Sequence, residues 1–138
     1  MANQFADPYQ VPDANFGWSA RDACYAYSSF VLEDDEALVI THRPPPCRFW
    51  NLMVWNQFRA TPGGAEARSS VNGHTAVYNA DRSVTIVVSR GMTAHPNSVT
   101  ALDHPRGNLA LRWFLADGVP VRPEVRLGRA SDAPAEVD

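Results

Sequence analysis

The chain has 138 residues, 45% of them hydrophobic and 20% charged, which suits one domain burying roughly two thirds of the surface its unfolded chain exposes. A net charge of -3 and a pI ≈ 5.7 supply no positive field to gather nucleic acid or an anionic membrane, so polyanion binding is excluded as the principal role. No apolar run approaches the ~20 residues that a membrane-spanning helix needs.

Residues 1–17, MANQFADPYQVPDANFG, carry Pro8 and Pro12 among Asp, Asn and Gln and read as an irregular arm lying on the surface or on a partner. They lack the charged-then-apolar pattern of a secretion signal, so a cytoplasmic protein is expected. In a reducing compartment Cys24 and Cys47 are expected as buried or partly buried thiols, although in principle the two can pair.

From residue 18 to 128 the apolar positions recur at period two, in short segments punctuated by Gly, Pro, Asn and Asp. This is the pattern of an antiparallel all-β domain. The first segment, WSARDACYAYSSF, has a Ser19 and an Asp22 that suit a helix cap, but its Tyr, Ser and Phe content favours an extended run. Further strands are predicted at 37–42, 48–58, 74–78, 83–89, 108–116 and 121–127, with no internal repeat.

In 48–58, Arg48, Trp50, Leu52, Val54, Asn56 and Phe58 share the face that reads as core, opposite Phe49, Asn51, Met53, Trp55 and Gln57. The turn YNADRS offers Asn79 and Asp81, which favour tight turns, so 74–89 reads as a hairpin. In 83–89, Val84, Ile86 and Val88 oppose Thr85, Val87 and Ser89, as in a strand of a sandwich. In 108–116, Leu109, Leu111, Trp113 and Leu115 point inward, while Arg112 stands outward beside Phe114 as a possible binding pair. Residues 129–138 read as an acidic, flexible tail.

Three stretches, YAYSSFVLEDDEALVITHRPPPCRFWNLMVWNQF, VNGHTAVYNADRSVTIVVSRG and HPNSVTALDHPRGNLALRWFLADGVPVRP, follow in order over about residues 25–125. Together they resemble the family catalogued as domain of unknown function 1214. Its members carry an EALVI strand, a Pro-rich turn into a Cys-Arg-aromatic-Trp strand, a DGS-type hairpin, and an HPNW segment leading to a strand ending in Arg-Trp. The chain departs from that pattern at Arg82, where Gly is usual, at Ser98, where an aromatic is usual, and at Asp103-His104-Pro105, where Gly-His is commoner. The resemblance implies a jelly-roll-like antiparallel β-sandwich, and members are often longer, with a preceding domain. It implies no reaction.

Candidate sites are therefore weighed from the residues. In HRPPPCR the three prolines fix φ and make a stiff corner, with Cys47 as a small buried hydrophobe. Functionally, the same corner presents His42 and Arg48 to an anionic or carbonyl group, flanked by Trp50 or Trp55, with Asn56 at the far end of the strand. The loop GMTAHPNSVTALDHPRG is either a lid, with His95, Asn97 and Asp103 at its mouth, or a packed crossover between sheets. The ligand-binding candidates are thus His42, Arg48, Trp55, Asn56, His95, Asn97 and Arg112.

Four histidines from different segments can build a divalent-metal site with an open position, here His74, His95 and His104, with His42 as a fourth candidate. No H-x-H, H-E-x-x-H or C-x-x-C pair supports it locally, so the fold alone has to bring them together. Cys47 with a histidine, or a Ser with a His and Asp103, can be drawn as a catalytic trio, but no nucleophile elbow accompanies them.

The expected function is binding of a small, partly apolar molecule at one end of the sandwich, or service as an accessory or assembly module. The alternative is a metal-dependent enzyme doing hydrolytic or oxidative work on a small substrate with a histidine cluster. A homodimer in which the N-terminal arm crosses to a neighbour is a further expectation.

Overall fold

Alternation of apolar and polar residues along 23–31 decides the first long strand: Cys24, Ala26, Ser28 and Phe30 are buried, while Tyr25, Tyr27, Ser29 and Val31 face outward. The same logic repeats along the chain in the computed structural model, which describes residues 1–12, 20–64 and 67–138. The strands are β1 (Tyr9–Gln10), β2 (Ala23–Val31), β3 (Glu36–His42), β4 (Phe49–Asn56), β5 (Ser70–Asn72), β6 (Val84–Ser89), β7 (Ser98–Thr100), β8 (Arg106–Phe114) and β9 (Glu124–Arg129). One turn of 3-10 helix, Ala130–Asp132, follows β9.

Five strands form one sheet in the order β1-β2-β8-β4-β5, and four form the other in the order β7-β6-β3-β9. The domain is an all-β, jelly-roll-like sandwich, as the period-two pattern predicts. Every pairing is antiparallel except β6 with β7, which is parallel. Among the described residues no helix is long and apolar enough to cross a membrane.

Register aligns the inward residues across the core. Trp50, Leu52 and Val54 of β4 sit opposite Trp113, Leu111 and Leu109 of β8, and Leu38, Ile40 and His42 of β3 sit opposite Val88, Ile86 and Val84 of β6. These side chains interdigitate between the sheets with Phe30, Val71 and Val99. On β2 and β8 Phe30 lies across from Gly107. A Cβ on Gly107 would stand 2.7 Å from the Phe30 ring and 2.2 Å from the Trp55 carbonyl, so only hydrogen fits there.

Several expectations change. The stretch 74–78 is not a strand. Its place in the sheet is taken by β5, and the 74–89 hairpin does not form because β5 and β6 belong to different sheets. Asn72 explains the shift: its side-chain oxygen accepts from the backbone N–H groups of His74 (2.8 Å) and Thr75 (3.1 Å) and turns the chain immediately after β5. The turn at Asn79 and Asp81 is present, with the Asn79 N–H donating to the Ser83 carbonyl at 2.9 Å. Arg82 has φ 67 there, at the position where the resembled family has Gly.

Leu115 is not core: it lies past the end of β8 at φ 51 and is half exposed. Phe58 is likewise exposed, in the turn after β4. The 91–107 loop is a packed crossover rather than a lid. It contains β7, buries Val99 and Ala101, and is tied at Asp103, whose carboxylate accepts from Arg90 at 2.8 Å. Arg90 also binds Asp34, joining the β2–β3 turn to the crossover.

Both chain ends are more ordered than composition suggests. The described part of the arm pairs with its own β2, through Tyr9 opposite Tyr25 and through the Asn3 and Ala6 N–H groups donating to the Ser29 and Tyr27 carbonyls. The arm is therefore an edge strand here, and its remaining residues, 13–17, lie outside the described ones. Past Asp132 the chain, read as a flexible tail, returns to the 79–80 turn, where the Asp138 carbonyl accepts from the Ala80 N–H at 2.8 Å.

Gly107→Ala is expected to destabilise the domain by about 2–3 kcal/mol, because neither the Phe30 ring nor the β4 backbone has room to move apart. Urea unfolding of the two proteins measures this; a loss under 0.5 kcal/mol contradicts the close packing at this point.

Candidate functional site

β8 runs up the middle of the five-stranded sheet, and its outward residues Asn108, Ala110 and Arg112 are flanked by Ser29, Tyr27 and Tyr25 on β2 and by Trp55, Met53 and Asn51 on β4. Tyr27 of β2 and Met53 of β4 lie on either side of Ala110, and Ser29 and Trp55 on either side of Asn108. The edge strand β1 adds Tyr9. The rings form a continuous row: Tyr25 and Tyr27 are nearly parallel at 5.9 Å, Tyr9 is 6.2 Å from Tyr25 and 6.5 Å from Tyr27, and Trp55 is 6.4 Å from Tyr27.

Around this row lies an open groove of about 600 Å³, lined among others by Tyr9, Tyr27, Ser29, Trp55, Arg59 and Asn108. Arg59 enters it from the turn after β4. Asn56 builds that turn: its side-chain oxygen accepts from the Phe58 (2.9 Å) and Ala60 (3.0 Å) N–H groups, and Arg59 is held at φ 60. Asn108 is fixed by donating from Nδ2 to the Asn56 carbonyl at 3.2 Å. Partial burial, reinforced by the neighbouring Tyr9 and Tyr25, pushes the Tyr27 phenol up to about 12 against an opposing pull from Arg59, so its hydroxyl stays protonated.

The sequence candidates divide sharply. Trp55 lines the groove, Asn56 shapes its wall, and Arg112 stands beside it, donating from Nε to the Asn51 oxygen at 3.3 Å. His42 does not pair with Arg48 at the proline corner. Arg48 is exposed, whereas His42 is buried between Trp50 (4.8 Å, edge-on) and Trp113 (5.3 Å) and accepts a hydrogen bond from Trp113 Nε1 to its Nε2 at 2.7 Å. The corner carries the chain from β3 in one sheet to β4 in the other, and Arg48, which shares parity with Trp50, lies just ahead of β4 and stays exposed instead of joining the core face.

His95 and Asn97 are buried staples, not a mouth. The Asn97 side chain joins the chain at Val77 to β6, accepting from the Val77 N–H (2.8 Å) and donating to the Val77 (2.7 Å) and Thr85 (2.9 Å) carbonyls. The His95 Nδ1 accepts from the Asn97 N–H at 3.0 Å, and burial lowers the His95 pKa against a small opposing effect of Asp138.

His74 is exposed and stacks on Phe49 at 6.2 Å, while His104 sits in the turn before β8. Among the described residues no group of three or more His, Cys, Asp or Glu side chains could hold a metal ion, so His74, His95 and His104 do not form the expected cluster. Cys24 and Cys47 are free thiols.

Strand parity in the sequence does not single out Tyr9, Tyr27, Arg59 and Asn108. The available signal was the alternation in ACYAYSSF, which puts two tyrosines on the face opposite the core. Tyr9 was hidden in an arm read as irregular, and Arg59 in a turn.

No protein-family model and no curated protein matches the sequence. Among solved structures, the chain is similar to an uncharacterised protein from Burkholderia cenocepacia, with TM-score 0.79 and 30% identity over 84% of this chain and 32% of that one. It is also similar in fold to the VPA0106 protein from Vibrio parahaemolyticus, with TM-score 0.68 and 20% identity over 81% of this chain and 32% of that one. The chain thus spans about a third of the length of each.

Burial drives the His42 pKa down to about 3, far below the ordinary value of 6.5 that the unfolded chain recovers. Between those values the unfolded state binds a proton that the native state refuses, so stability present above pH 6.5 is lost as pH falls toward 3. The loss from this residue is on the order of 3 kcal/mol between pH 6.5 and 4. His42→Gln, which keeps an acceptor for Trp113, is expected to flatten that slope. Urea midpoints at pH 7, 5.5 and 4 check it, and parallel profiles for the two proteins exclude His42 as the source.

Proposed function

We propose that the domain is a binding module that takes a small, partly apolar molecule in the groove on the outer face of the five-stranded sheet. The observation that carries this reading is the convergence of Tyr9, Tyr27 and Trp55 with Asn108 and Arg59 around one concavity, large flat apolar surfaces combined with a few fixed polar groups. The groove lies on a sheet face beside β1 rather than at the end of the sandwich expected from sequence. The metal-dependent enzyme has no ligand set among the described residues to support it.

A second use of the same face, as an accessory module within a larger protein, is favoured by the length of the two structural neighbours, of which the chain spans a third. Membership of the domain of unknown function 1214 family also belongs to this reading. It is supported by the ordered motifs over about residues 25–125, by the jelly-roll-like sandwich, and by the left-handed backbone of Arg82 where that family has Gly. Two free thiols suit a reducing compartment and the cytoplasm.

Screening small amphipathic and aromatic molecules by ligand-observed NMR tests the groove. Trp55→Ala and Tyr27→Ala are expected to weaken any hit at least about tenfold without changing the fold, since each removes a stacking surface. Hits that bind both variants as tightly as wild type place the site elsewhere.

A further inference from the structure

Resting on the groove reading above, we infer that the ligand is a carboxylate-bearing molecule with a flat apolar ring, the ring lying on Tyr27 and Trp55 and the carboxylate held by Arg59. Charge decides the class. The chain carries 15 acidic against 12 basic residues, yet the described groove lining contains no Asp or Glu and one Arg. Among the described residues Arg59 makes no ion pair, which is equally true of Arg48, Arg106 and Arg112, but of these Arg59 is the one that lines the groove. A planar guanidinium beside aromatic rings matches a carboxylate bidentately, and a neutral ligand would leave that capacity unused. Gln4, Ser29, Tyr27 and Asn108 line the same groove and offer further polar groups to the ligand.

Arg59 occupies the left-handed region at φ 60, as Arg82, Leu102 and Leu115 do, where glycine sits without strain and a side chain is disfavoured. Glycine at this position therefore removes the cation while relieving the turn.

The experiment is isothermal titration with a matched pair, 2-naphthylacetate and 2-naphthylacetamide, on wild type, Arg59→Gln, Arg59→Gly and Trp55→Ala, with melting temperatures alongside. The carboxylate is expected to bind wild type about tenfold more tightly than the amide, and Arg59→Gln to remove that preference. Arg59→Gly is expected to raise the melting temperature by about 2–5 °C while losing the same preference, a combination that a merely structural arginine does not give. Equal binding of both compounds, sensitive to Trp55→Ala, overturns the anion assignment and leaves the groove standing. A preference that persists in Arg59→Gln removes Arg59 as the anchor. Binding of neither compound to wild type at millimolar concentration, or binding indifferent to Trp55→Ala, overturns the groove reading and this inference together.

Discussion

The hydrogen bond from Trp113 to His42 crosses the core from one sheet to the other, and the geometry of the sandwich depends on it. Trp113 belongs to β8 in the five-stranded sheet and His42 to β3 in the four-stranded sheet, and the contact is 2.7 Å long in a predominantly apolar interior. Apolar packing tolerates small slides between sheets, whereas a buried donor and acceptor that lose each other each carry a desolvation penalty of about 1–3 kcal/mol. The pair therefore fixes where β3 stands over β8. Trp50, opposite Trp113 in register, then packs edge-on against the same imidazole and sends its own N–H to the Tyr78 hydroxyl at 3.2 Å. Because Nε2 accepts, Nδ1 carries the ring proton, and it has no partner among the described residues. One cross-sheet bond thus comes at the expense of an unsatisfied N–H, and the imidazole is held neutral.

Fixing the inner face of β8 fixes its outer face too, since the strand alternates. With Leu109, Leu111 and Trp113 locked inward, Asn108, Ala110 and Arg112 must face out, in the centre of the sheet. Small and polar residues on the central strand, with Tyr25 and Tyr27 on one neighbour and Met53 and Trp55 on the other, leave aromatic surface standing above a polar floor. β1 raises one wall and the Asn56 turn the other. The groove is thus a consequence of the core register, and its rings are positioned by strands rather than by loops.

Much of the fold was legible in the sequence because period-two alternation needs only the pleat. Strands β2, β3, β4, β6, β8 and β9 were all anticipated, with boundaries off by up to several residues at the ends. The misses share a cause. β1, β5 and β7 are two or three residues long, too short for periodicity to register, and they exist because neighbouring strands or buried side chains hold them. The same applies to 74–78, whose apolar residues look like a strand but whose path is set by Asn72 and Asn97. Of the proposed groove, the sequence singles out Trp55, there expected to flank the proline corner at one end of the sandwich, while Tyr9, Tyr27 and Arg59 come together only through pairing between segments distant in sequence.

His42, His95 and Asn97 mark the limit of reading chemistry from residue type. Imidazole and amide groups serve binding sites because they donate and accept at once, and for that reason they also serve interiors where backbone groups need partners. Sequence cannot separate the two uses, but the destination of their hydrogen bonds does. Asn97 makes three bonds to backbone groups at Val77 and Thr85 and has no exposed surface, so it joins a crossover to a strand. His42 bonds a tryptophan of the facing sheet. The outer-face polar groups behave differently: Arg59 and Arg112 keep guanidinium N–H groups that no described residue takes up. Inside the sandwich Asn97 and His42 spend their bonds on holding the fold together, whereas on the aromatic face Arg59 and Arg112 keep bonding capacity, and the proposed binding role rests on that capacity.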